Sequence, residues 1–97
     1  MNDADVLDLV KTTVEDLNSE LGFDHLSNVT SDSDLFGGPS GVDSLSLVRI
    51  IAEVERAVGE RFGRPVVLAD ERAMSRRNSP YRTVGTIAEL VRERLAE

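Results

Sequence analysis

Three separate stretches of this chain place apolar residues at three- and four-residue steps, which matches the 3.6-residue repeat of an α-helix and not the two-residue repeat of a strand. From Asp3 to Leu21 the residues are Val6, Leu9, Val10, Val14, Leu17 and Leu21, and Gly22 is a natural stop. From Ser44 to Phe62 they are Leu45, Val48, Ile51, Val54, Val58 and Phe62, with Leu47 and Ile50 widening the stripe and Gly63 and Pro65 ending it. A third set, Val84, Ile87, Ala88, Val91 and Leu95, follows Thr83, a good N-cap. Asp70 to Arg77 predicts a short helix or turn capped by Asp70, limited by Ser75, Asn78 and Pro80. Val66-Val67-Leu68 is too short to found a sheet. The expected class is all-α: a small four-helix bundle of three long helices and one short one. At 97 residues the chain has material for one core, so residues 1–97 are read as a single domain.

Charge narrows the choice of partners. The chain carries 11 basic against 18 acidic residues, a net of -7, and a phosphate backbone is bound through a surplus of clustered cations. Nucleic acid is not an expected partner. Residues 1–36 hold nine acids against Lys11 alone, whereas residues 37–97 hold nine acids and ten arginines. Arg72, Arg76, Arg77 and Arg82 gather in one stretch, which either meets an anionic group or answers the acidic first third and solvates a loop. With no cysteine there is no thiolate nucleophile or thiolate metal site. The acidic N-terminus does not read as a signal peptide, and no apolar run approaches a membrane span. A soluble, cytoplasmic monomer is expected.

Residues 22–43, between the first two helical patterns, form a Gly-, Ser- and Asp-rich loop whose length demands packing or function. Leu26, Val29, Leu35 and Phe36 are its expected anchors. At its end stands Gly41-Val42-Asp43-Ser44-Leu45. With Asp43 as N-cap, its carboxylate accepts from free amides of the first turn, and Val42 and Leu47 occupy the hydrophobic-staple positions. Ser44 is then the first helical residue. Its hydroxyl stands beside the positive end of the helix dipole, which favours an attached phosphate group by about 0.3–1 kcal/mol. On this local argument alone Ser44 reads more readily as part of an ordinary helix start.

Leu35-Phe36, then Gly41-Val42-Asp43-Ser44-Leu45 and an amphipathic helix, then Thr83-Val84-Gly85 before a closing helix, resembles the acyl carrier protein family from about Asp3 to Ala96. The resemblance implies that Ser44 bears 4′-phosphopantetheine through a phosphodiester, with an acyl or aminoacyl group held as a thioester on the arm. It implies a carrier and not an enzyme, with no catalytic residue and no metal of its own. Asp43 and Leu45 flank the attachment site. The implied partners are a phosphopantetheinyl transferase, which draws the arm from coenzyme A, and the ligases, transferases and synthases that load and unload the cargo in fatty-acid-like, lipid or specialised metabolite biosynthesis. An unmodified interaction module of the same fold is the alternative.

Two departures from that family stand out. Its second helix commonly offers an acidic face to partners, whereas here Arg49, Arg56 and Arg61 share the helix with Glu53, Glu55 and Glu60. Leu45, Val48, Arg49, Glu53, Glu55 and Arg56 are the expected docking residues, and the mixed charge favours dedicated partners. The connection from Gly63 to Arg82 is also longer than in the simplest carriers. It reads either as a recognition surface or as a loop tied down by Met74 and Tyr81. Val48, Ile51, Val54, Ile87 and Val91 are candidates to line a space for an acyl chain, against dense ordinary packing.

Weaker signals remain. Asp32 to Asp43 faintly echoes a calcium loop, but Phe36 stands where an oxygen ligand is needed. His25, the only histidine, makes a Ser44, His25 and acid triad arithmetically possible in a small serine hydrolase, without the Gly-x-Ser-x-Gly elbow. Asn28-Val29-Thr30 fits a glycosylation sequon but lacks the secretory context.

Overall fold

The computed structural model describes residues 3–35 and 42–97. Phe36 and Gly41, an expected loop anchor and one residue of the serine motif, lie outside the described residues, as does the middle of the calcium-like loop. Four helices form the frame: α1 (Asp3–Leu21), α2 (Ser44–Phe62), α3 (Glu71–Met74) and α4 (Val84–Ala96), with a 3₁₀ turn at Asp24–Leu26. Among the described residues there is no strand, only an isolated bridge between Asp34 and Thr83.

α1 packs on both α2 and α4, which explains its stripe. Val6, Val10 and Val14 are fully buried and Leu17 nearly so, while Leu9 and Leu21 pack at the edge. From α2 the core receives Leu47, Ile50, Ile51, Val54 and Val58, and from α4 Val84, Ile87, Ala88, Leu90, Val91 and Leu95. The α2 stripe is thus rotated from the sequence expectation. Leu45 and Val48 are 75% and 61% exposed, because the helix carries apolar residues over a wide arc and the position of α1 selects which part is covered.

Helix ends follow local chemistry. Gly22 and Gly63 take positive φ, 76° and 70°, at the ends of α1 and α2, where a side chain would be strained. Asn18, buried, exchanges hydrogen bonds with the Phe23 backbone at 2.8 and 2.9 Å, so the chain leaves α1 with its polar groups satisfied. Thr83 and Thr86 form a reciprocal capping box at α4.

The loop after α1 is held by more than its apolar anchors Leu26, Val29 and Leu35, which are all buried. Glu15 accepts from the Val29 amide at 2.9 Å, and Leu35 donates to the Arg82 carbonyl at 2.8 Å. The first two amides of α4, Val84 and Gly85, donate to Ser33 and Ser31 carbonyls at 3.2 and 2.8 Å. Those donors have no partner inside their own helix, so the loop supplies it. The approach is close enough that a Cβ on Gly85 would stand 2.9 Å from the Ser31 carbonyl oxygen.

The Gly63–Arg82 connection is anchored from both sides. Glu55 of α2 accepts from the Leu68 amide at 2.7 Å. Arg94 of α4, 7% exposed, donates to the Val67 carbonyl at 3.1 Å and to Asp70 at 3.0 Å. Tyr81 is buried and its hydroxyl donates to the Leu68 carbonyl at 2.6 Å. Met74 is not an anchor; it is 69% exposed, since α3 is a single turn whose buried contact is Ala73. Arg72 and Arg76 do not answer the acidic first third. They pair with Glu97 and Glu93 at 2.8 and 2.6 Å, acids that the bundle brings beside them from the other end of the sequence.

Candidate functional site

Ser44 is the first residue of α2 and is exposed. Asp43 caps the helix: Oδ1 accepts from the Ser46 amide at 2.8 Å, and Oδ2 accepts from the Ser46 hydroxyl at 3.2 Å. The Ser46 amide holds the Asp43 carboxyl below its ordinary range, with the Ser46 hydroxyl adding to the effect. Asp43 is therefore a fixed anion at neutral pH. Val42 and Leu47, the staple pair, are both buried, and the Val42 amide donates to the Leu35 carbonyl at 2.6 Å. The turn before Ser44 is thereby tied to the core, and no hydrogen bond occupies the Ser44 hydroxyl among the described residues. What this arrangement offers chemically is a solvent-facing hydroxyl at a capped helix start.

Beside it runs a mainly apolar groove of about 340 Å³. Ser44, Leu47, Val48 and Ile51 line it from α2, and Ala69, Ala73, Met74, Ser79 and Tyr81 from the connection. Of the expected lining residues, Val48 and Ile51 border this groove. Val54, Ile87 and Val91 are at most 1% exposed in the core. The far wall was not foreseeable from helical spacing, because it comes from loop residues.

The expected docking residues separate into two groups. Leu45 and Val48 are the exposed apolar ones next to Ser44. The charged ones are engaged within the chain: Arg49 reaches Glu20 of α1 at 3.4 Å, and Arg56 holds Glu53 at 2.9 Å and Glu60 at 2.8 Å. Hydrogen bonding to Arg56 also keeps the Glu53 carboxyl below its ordinary range. Glu55 faces the connection through its bond to Leu68.

His25 is committed elsewhere. Its Nε2–H donates to the Asp34 carbonyl at 2.9 Å, and its ring meets Phe23 edge-on at 6.0 Å. Among the described residues no three acids or histidines gather to hold a metal ion, and no helix is long and apolar enough to cross a membrane. Among known proteins, no family model, curated protein or solved structure matches the chain.

Proposed function

We propose that this protein is a carrier of the acyl-carrier type, in which Ser44 bears 4′-phosphopantetheine and presents an acyl or aminoacyl thioester to partner enzymes. The single observation that carries the reading is the exposed Ser44 at the first residue of α2, its hydroxyl without a hydrogen bond among the described residues, with Asp43 as the cap beneath it. A transferase must reach that oxygen and leave a phosphodiester on it. The first turn of a helix suits the phosphate, since its free amides and dipole favour an anion. Leu45 and Val48 then form the apolar part of the docking surface, and the long arm is left free to travel between active sites. On this view the chain contributes position and not catalysis.

The test is intact mass after incubation with coenzyme A, Mg²⁺ and a broad-specificity phosphopantetheinyl transferase. One added phosphopantetheine is expected on the wild type and none on Ser44→Ala. An unchanged wild-type mass would overturn the carrier reading in favour of an unmodified interaction module. Ester turnover by the unmodified protein, lost on replacement of His25, would instead mark a hydrolase.

A further inference from the structure

Sulfur is scarce in this chain. There is no cysteine, and the two methionines are Met1, which lies outside the described residues, and Met74. Tryptophan is absent as well, and the only tyrosine, Tyr81, is buried with its hydroxyl bonded to the Leu68 carbonyl. Peroxides take accessible sulfur first. Among the described residues that leaves one target, the exposed Met74, and its position is not neutral. With Val48 it forms the exposed rim of the groove that Ser44 also lines, where Leu47, Ile51, Ala73 and Tyr81 are buried.

We propose that Met74 is a reversible oxidation site that regulates enzyme docking at Ser44, which rests on the reading of Ser44 as the carrier serine. The sulfur lone pair attacks one oxygen of hydrogen peroxide, and the O–O bond breaks as the S–O bond forms. The departing hydroxide takes up the proton of the attacked oxygen and leaves as water, so the sulfur loses two electrons and the peroxide gains them. A dithiol reductase reverses the step, releasing the oxygen as water and ending as a disulfide. The sulfoxide is a strong hydrogen-bond acceptor on a rim that was apolar, and a partner sealing over it must strip water from that oxygen. Any enzyme that reaches Ser44 covers the rim, because a specific interface takes about 800 Å² from each partner and Ser44 and Met74 line one groove. The fold is spared. The buried contact of α3 is Ala73, not Met74.

The test treats the full chain with dilute hydrogen peroxide, removes the excess with catalase, and maps the product by peptide mass. One oxygen is expected on Met74, gained at close to the rate of free methionine, with circular dichroism unchanged. A phosphopantetheinyl transferase should then load Ser44 about fivefold more slowly, the scale of one lost side chain at an interface. A methionine sulfoxide reductase with dithiol should restore the rate. Met74→Leu should lose the response, its loading rate being the same before and after peroxide, and Met74→Gln should load slowly without any oxidant. Met74 that resists peroxide, or loading that is unchanged by its oxygen, would overturn the proposal. The two readings fail distinguishably: a chain that is never loaded removes the carrier and the regulation with it, whereas equal loading with and without the Met74 oxygen keeps the carrier and removes the regulation alone.

Discussion

Replacing Tyr81 by Phe deletes one oxygen and leaves the ring. In the native protein that oxygen donates to the Leu68 carbonyl at 2.6 Å from a side chain that is 8% exposed. The variant strands the carbonyl in an apolar wall, at a cost of about 1–2 kcal/mol. For a domain of this size that is a fall of roughly 4–8 °C in Tm per kcal/mol. Urea and thermal melts followed by circular dichroism at neutral pH measure it. A second signature comes from the burial of the phenol itself. Burial, with Asp70 nearby, raises the Tyr81 phenol above its ordinary value of 10.0. Because the folded pKa is the higher one, the stabilisation is complete below the unfolded pKa and is lost as pH rises from there through the folded pKa. The slope approaches about 1.4 kcal/mol per pH unit. The wild-type and Tyr81→Phe stability curves should therefore converge in that alkaline window. With one tyrosine and no tryptophan in the chain, tyrosinate absorbance reads the same titration directly. A variant within about 0.3 kcal/mol of wild type, or a folded-state titration at the ordinary value, would refute the reasoning.

Three further outcomes are expected. Gly85→Ala should lose about 1–3 kcal/mol in urea melts, because its Cβ would stand 2.9 Å from the Ser31 backbone oxygen; unchanged stability would mean the loop yields freely. Arg94→Met should lose about 2 kcal/mol or more, since it leaves Asp70 and the Val67 carbonyl without their partner, and a neutral result would show the pair to be dispensable. The Asp43 and Asp70 carboxyls are held low chiefly by the Ser46 and Ala73 amides. Their stabilisation is therefore present above the ordinary carboxylate range and lost as pH falls through the folded values, so Asp43→Asn and Asp70→Asn should each flatten the acid limb of the urea-midpoint profile.

The helices were legible because their determinants are local. Asp43, Asp70 and Thr83 cap the residues that immediately follow them, and Gly22 and Gly63 mark ends through a backbone conformation that needs no knowledge of the rest of the chain. Ser44 at a helix start was legible for the same reason. The face that α2 buries was not. Apolar residues cover Leu45, Leu47, Val48, Ile50 and Ile51 in succession, and only the placement of α1 decides that Leu45 and Val48 stay in water. The partners of Arg72 and Arg76 lie 25 and 17 residues away on the closing helix, a separation that periodicity cannot bridge. Arg94 carries no signal in the sequence, because nothing adjacent to it announces that its guanidinium is buried. The wall of the groove escaped for a related reason. Ala69, Ala73, Ser79 and Tyr81 show no repeat, so their convergence on Ser44 is a product of the tertiary fold.

The strand of chain from Val67 to Asp70 is held by Glu55 on one side and Arg94 on the other, and Asp70 in turn caps the short turn bearing Ala73 and Met74. The wall of the gap beside Ser44 is thus tied to α2 and to α4 at once. Losing Arg94 would slacken that wall, although its side chain lies outside the lining of the groove.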